Sequence, residues 1–467
     1  MAAASHQPTC MNKAPHYATQ QKRPRAAEKR EWGVIKASEH SKNTVNPIRK
    51  IVDSLNVPHN PEKEPIRLNL GDPTVLGNLP PSDVAVQAME DVIRGHKFDG
   101  YGPAVGAQCA REAVAKKFTH PNAPITADDV ILASGCSHAL EMAIVAIADP
   151  GENILVPNPG FPLYTTLCKP NGIETLSYNL KMEHGGIVDL VHLESLINDK
   201  TRAIIVNNPS NPTGVVFTKE HLEEILRLAY KHKLPIIADE IYGDLTYDGA
   251  TFHPMATLSP QVPIISCDGI AKRYLVPGWR LGWVIVHDRF GALTEVKQGM
   301  VALSMKIVGP CALVQGALPR ILQDTPQSFF DHIKEVLSAN ANAVYKSLSR
   351  IPGLKPLKPQ GAMYMMIGFD DEIYGEETKL MQDLIREESV ICLPGSAFNS
   401  PNWFRLVLTY PLEVTEEACE RISEFCLRRL KLSKAYGPLK NTEKDDDLDS
   451  CGQDNEDSSC LESEDNN

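Results

Sequence analysis

Lys272 and Arg280 stand eight residues apart in GIAKRYLVPGWRLGW, residues 269–283, among glycine, proline and tryptophan, which shape backbone rather than carry charge. A lysine held out of water near other cations favours its neutral amine, the form that attacks a carbonyl carbon. An arginine presents a planar fork that can grip two phosphate oxygens. Further polar groups follow apolar runs: Asn211 in NPSNPTG, and Asp239 and Tyr242 in ADEIYGD. SGCS, residues 134–137, joins an apolar run to a helical pattern, and such a small-residue turn offers free backbone N–H groups and a positive dipole end to an anion. Each feature alone reads as ordinary structure: a tight turn, a rigid loop, a strand-end cap, a packed core tyrosine. Four run ends that each offer a polar group point to one site. That inventory suits a phosphorylated aromatic cofactor bound covalently by an amine.

The same segments predict the elements that position these groups. DVILAS, NILVPNP, RAIIVNNP, LPIIADE, PIISCD and WVIVHD are short apolar runs of buried-strand type. HALEMAIVAIA, after the first, is a helix apolar nearly all round, and Leu222, Ile225, Leu226 and Ala229 recur at helical spacing behind a Thr218 N-cap. The alternation predicts an α/β fold: a mostly parallel sheet with helices on both faces and ligands outside the carboxyl ends of its strands.

Composition narrows the function classes. The chain has 467 residues, 42% of them hydrophobic, enough for a large core and two or three domains. No apolar run approaches the roughly 18 residues of a membrane span, and the first 30 residues lack an apolar signal region, so a soluble intracellular chain is expected. Eleven cysteines, an odd number with no CxxC pair, form neither a disulfide framework nor a zinc site, and no metal is expected. The net charge of −12 sits mostly at one end: from Glu443 onward eleven acids face one lysine. That acidic tail and a basic arm ending near Arg30 are both predicted to be disordered. KRPR in the arm could serve as a nuclear signal, or the arm as a weak transit peptide. An acidic chain whose basic arm lacks interleaved aromatics is a poor nucleic-acid binder.

LGDPT, SGCS, PNPGFPLY, NPSNPTG, ADEIYGD and GIAKRYLVPGWRLGW, in this order and at these intervals, resemble the fold-type I pyridoxal-phosphate aminotransferases from about residue 32 to residue 440. The resemblance implies a large domain over residues 75–330, with a mostly parallel seven-stranded sheet sandwiched by helices. A smaller α+β domain would combine an N-terminal segment, 32–74, with residues 331–440, leaving 1–31 and 441–467 as the disordered arm and tail.

Residue roles follow from the resemblance. Lys272 matches the lysine that holds pyridoxal 5'-phosphate covalently and then moves the substrate's Cα proton. Arg280 matches the phosphate-binding arginine, Asp239 the partner of the pyridine nitrogen, and Tyr242 and Asn211 the donors to the ring oxygen. Phe161 matches the aromatic stacked on the ring, with Gly135, Cys136 and Ser137 around the phosphate. Arg405 in WFRLVLTYP matches the arginine that binds the α-carboxylate, and Gly71 the small residue beneath the substrate. Tyr101 in YGPAVG resembles a tyrosine that reaches the neighbouring subunit's cofactor, which implies a homodimer with shared sites. Arg273 is left without a role.

Two positions depart from the family pattern. Gly269 stands where many members carry a phosphate-binding serine, and NPTG replaces the NPCG frequent among the nearest members. NPIRKIVD, GDPTVLGNLP and GPCALVQGAL most resemble the branch that acts on tyrosine. The implied reaction is a cytoplasmic ping-pong cycle from tyrosine and 2-oxoglutarate to 4-hydroxyphenylpyruvate and glutamate, the first step of tyrosine catabolism. Closely similar sites prefer phenylalanine, alanine, kynurenine or leucine, or catalyse elimination, and a non-catalytic scaffold is a further alternative.

Overall fold

The apolar runs align side by side because residues buried on both faces of a sheet must be apolar throughout. In the computed structural model, which describes residue 32, residues 34–74 and residues 76–436, they form one large sheet. The predicted arm and tail lie outside the described residues.

The strands in chain order are β1 (Val130–Ala133), β2 (Asn153–Asn158), β3 (Glu174–Lys181), β4 (Ile187–Val188), β5 (Thr201–Asn207), β6 (Ile236–Asp239), β7 (Ile264–Gly269) and β8 (Gly282–His287). They lie in the order β1-β8-β7-β6-β5-β2-β3-β4. The run from β7 to β3 is parallel, whereas β8 opposes both its neighbours and β4 opposes β3. The sheet has eight strands rather than the expected seven. The addition is the two-residue edge strand β4, turned back on β3 after Gly185 and Gly186, both at positive φ. A strand that short leaves no periodicity to read in a sequence.

Alternate strand residues face opposite layers. Ile131, Ile205, Ile237 and Val284 pack with helix Cys136–Ile147 in one cluster. Ile204, Ile236 and Ala238 pack with helix Lys219–His232 on the other side, where Leu132 and Trp283 meet the helices Asp83–Gly95, Gln108–Phe118 and Ala312–Asp324. The Thr218 side chain accepts a hydrogen bond from His221 N at 3.3 Å, so the predicted N-cap forms.

A second, antiparallel sheet holds β9 (Leu354–Pro356), β10 (Tyr364–Phe369), β11 (Leu393–Pro394) and β12 (Trp403–Val407) in the order β9-β10-β12-β11. The short strand Ile66–Arg67 pairs in parallel with Val390–Ile391, bringing an N-terminal segment against a C-terminal one. No helix among the described residues is long and apolar enough to cross a membrane.

Candidate active site

Register places the chemistry. Asn207 and Asp239 pair side by side where the parallel strands β5 and β6 finish, with Cys267 beside them two residues before the end of β7. Next to them is a cavity of about 460 Å³, lined by Lys272, Asp239, Tyr242, Asn211, Phe161, Cys136, Ser137, Arg280, Arg405 and Gly71, ten of the twelve residues expected there. Gly135 touches it indirectly: a Cβ at that residue would lie 2.6 Å from Arg280 Nη2. Tyr101 does not line this cavity and is 96% exposed.

At one end, Gly135 takes φ 79° and leads into helix Cys136–Ile147, whose first turn has no side-chain cap. Arg280 lies against this turn, with Nη1 donating to Pro277 O at 3.0 Å and Nη2 to Ser134 O at 3.4 Å. Open N–H groups beside a guanidinium make a cradle for a doubly charged anion. Gly269 is extended at φ 174°, and a Cβ there would meet Leu281 O at 2.7 Å, so a serine at this position would press on the backbone leading into β8.

Asp239 lies deeper. Its Oδ2 accepts from the Tyr164 hydroxyl at 2.6 Å and its Oδ1 from Ile241 N at 3.4 Å, and burial pushes the carboxyl up to about 6 despite these donors. A buried carboxylate of this kind favours a cationic partner. Lys272 projects from the short helix Ile270–Arg273 and donates from Nζ to Gly71 O at 2.5 Å.

Arg405, on β12, is 4% exposed and sandwiched between rings, its guanidinium carbon 4.1 Å from the Tyr364 centroid and 4.9 Å from that of Phe398. Its Nη1 donates to Asn211 Oδ1 at 2.9 Å and its Nη2 to Asn69 O at 3.2 Å, while Nε has no partner. Asn211 N donates to Asn207 Oδ1 at 2.7 Å and Asn207 Nδ2 to Asp239 O at 3.0 Å, so a chain of amides links the arginine to the aspartate. An arginine buried without a paired carboxylate suits an incoming one.

Two residues of the site were missed in the sequence. Tyr164 ends the PNPGFPLY motif and holds Asp239; a buried polar partner for that carboxylate was the available signal. Tyr364 lies in the apolar run of β10 and gives no such signal. Its hydroxyl stands 2.8 Å from that of Tyr242, and a Cβ on Gly71 would reach it at 2.5 Å. Gly71 therefore clears space for a phenol of this chain.

Comparison with known proteins identifies the family. The chain is 60% identical over 401 residues to a tyrosine aminotransferase of Caenorhabditis elegans, covering 86% of each. It is 49% identical over 404 residues to that of Homo sapiens, covering 85% of this chain and 88% of the relative. The crystal structure of a tyrosine aminotransferase from Leishmania infantum superposes with a TM-score of 0.82 at 32% identity, covering 85% of this chain and 99% of that one. The family profile of aminotransferase class I and II matches residues 63–422, and the chain belongs to that family.

Proposed function

We propose that the protein transfers the amino group of tyrosine to 2-oxoglutarate, releasing 4-hydroxyphenylpyruvate and glutamate in two half-reactions. The observation that carries this reading is the convergence of Lys272, Asp239, Arg280 and Arg405 on one cavity. Relatives named tyrosine aminotransferase support the choice of substrate.

The donor set fits pyridoxal 5'-phosphate. Arg280, the N–H groups of Cys136 and Ser137 and the Ser137 hydroxyl would hold its phosphate, with Gly135 giving the turn its shape; Asp239 would hold the protonated ring nitrogen, and Phe161 a ring face. Tyr242 and Asn211 would donate to the ring oxygen; the Asn211 Oδ1 is committed to Arg405, which leaves its Nδ2 for that bond. When bound, the cofactor supplies a carbonyl carbon that takes up the amino group and a ring that accepts an electron pair. Lys272 would hold the cofactor through its amine until the substrate's amino group displaces it, and its freed Nζ would then take the substrate's Cα proton and deliver it to the former carbonyl carbon of the cofactor. Arg405 grips the α-carboxylate through its fork and so orients the Cα–H bond.

We further assign cofactor binding to a large domain, residues 75–330, beside a smaller one at 331–440. The active unit is a homodimer in which Tyr101, exposed on its own subunit, completes the other site. The activity is placed in the cytoplasm, as the family resemblance implies.

The test is a single half-reaction. Purified protein loaded with cofactor and given tyrosine without a 2-oxo acid should release one 4-hydroxyphenylpyruvate per bound cofactor, and Lys272→Ala none. No release from tyrosine, with turnover of alanine or leucine, overturns the substrate assignment.

A further inference from the structure

Arg273 follows Lys272 directly yet is 3% exposed and faces away from the cavity, behind the sheet. Its Nη2 donates to Asp268 Oδ2 at 2.9 Å, and its Nη1 lies 3.2 Å from Asp244 Oδ2. The guanidinium carbon stands 5.2 Å from the Phe118 ring centroid. These contacts join two segments. Asp268 lies on β7, just before the helix that bears Lys272, and also accepts from Gly269 N at 2.7 Å. Asp244 lies in the turn after β6, two residues beyond Tyr242. The residue between them is shaped to admit the guanidinium: a Cβ on Gly243 would come within 2.6 Å of Arg273 Nη2 and 2.8 Å of the Phe252 ring.

Stability alone does not account for such a cluster. Burial pushes Asp268 and the nearby Glu240 up to about 7, so this charge network is held at a desolvation cost that apolar packing would avoid. Geometry is the remaining gain, because a displacement of about 1 Å at a reacting group can cost roughly 100-fold in rate. We infer that Arg273 is a positioning residue, which fixes Lys272 against the turn carrying Asp239 and Tyr242 from the far side of the sheet. This rests on the transaminase reading of the cavity.

Asp244→Asn is the discriminating variant. Its side chain is 60% exposed and its backbone, at φ 64°, adopts a conformation that asparagine tolerates, so only the ion pair is lost. Holoenzyme of wild type, Asp244→Asn, Gly243→Ala and Arg273→Lys is compared in kcat and KM for tyrosine, in the pH midpoint of the bound cofactor's visible absorption, and in Tm. The expected result is a fall in kcat of about tenfold with KM little changed, since Arg405 is untouched, and a displaced midpoint in all three variants. Lysine should not rescue, because one ammonium cannot span both carboxylates. Variants that lose only Tm, keeping wild-type kcat per bound cofactor and midpoint, overturn the inference. Wild type inactive on every amino acid overturns the transaminase reading instead, and the absorption midpoint still tests Arg273.

Discussion

The Tyr242 hydroxyl lies 2.8 Å from the Tyr364 hydroxyl, one phenol from the turn after β6 and the other from β10, both buried. Burial alone would raise both. For Tyr364 the charges of Lys272 and Arg405, with the Tyr242 hydroxyl, outweigh burial and bring it below its usual value, while Tyr242 is pushed well above. The pair shares one hydrogen bond in which either hydroxyl can donate, and a Tyr364 that donates leaves the Tyr242 proton free for a ligand in the cavity.

Tyr364→Phe should lower kcat by about threefold to tenfold, by releasing the Tyr242 hydroxyl from its partner. A phenol whose folded-state value is depressed adds stability that is present above its unfolded value, about 10, and fades as pH falls through the folded one. The variant should thus lose more Tm at pH 10 than at pH 7. Equal losses at both pH values would contradict this.

Gly71→Ala places a Cβ 2.5 Å from the Tyr364 hydroxyl oxygen, whereas the ring carbon behind that oxygen is at 3.3 Å. The single variant should lose about tenfold or more in kcat, and Gly71→Ala with Tyr364→Phe should recover part of it. Such coupling is the signature of residues in contact. Simple additivity in a double-mutant cycle would show that the collision is not the cause.

Asp239, pushed up to about 6 by burial, has its folded value raised above the unfolded one. Stability from such a group is full at pH below about 4 and is lost as pH rises through about 6. Cofactor-free Asp239→Asn should accordingly be more stable than wild type at pH 8, by about 3 kcal/mol at most, with the gain vanishing near pH 4. The same variant should be nearly inactive. Denaturation at the two pH values, with a turnover assay, checks both halves.

Gly269→Ser drives a Cβ to 2.7 Å from Leu281 O and 2.9 Å from Gly282 Cα. It should cost about 1–3 kcal/mol of stability, with no tighter binding of the cofactor. Thermal melting and cofactor titration of the variant decide the matter.

Lys272 and Asp239 were legible in the sequence because each follows an apolar run with a charge, and a charge near a core demands a reason, whereas Arg405 came only from its match to the family motif. Tyr364 could not. An aromatic in a buried strand reads as packing, and its acidity comes from Lys272 and Arg405, which only the fold brings near. Gly71 was recognised as a clearance, but the group it clears was invisible for the same reason. The six longer apolar runs gave strands because both faces are buried, whereas the two-residue β4 depends on the turn geometry of Gly185 and Gly186.

Strand β8 runs against β7, so its beginning rather than its end stands at the ligand edge. One short connection, residues 270–281, thus leaves that edge with Lys272 and returns to it with Arg280. For any ligand gripped by both, the peptide between them works as a spacer of set length. One inserted residue there would alter the span between amine and guanidinium, while the helical crossovers joining the parallel strands can vary in length without touching it.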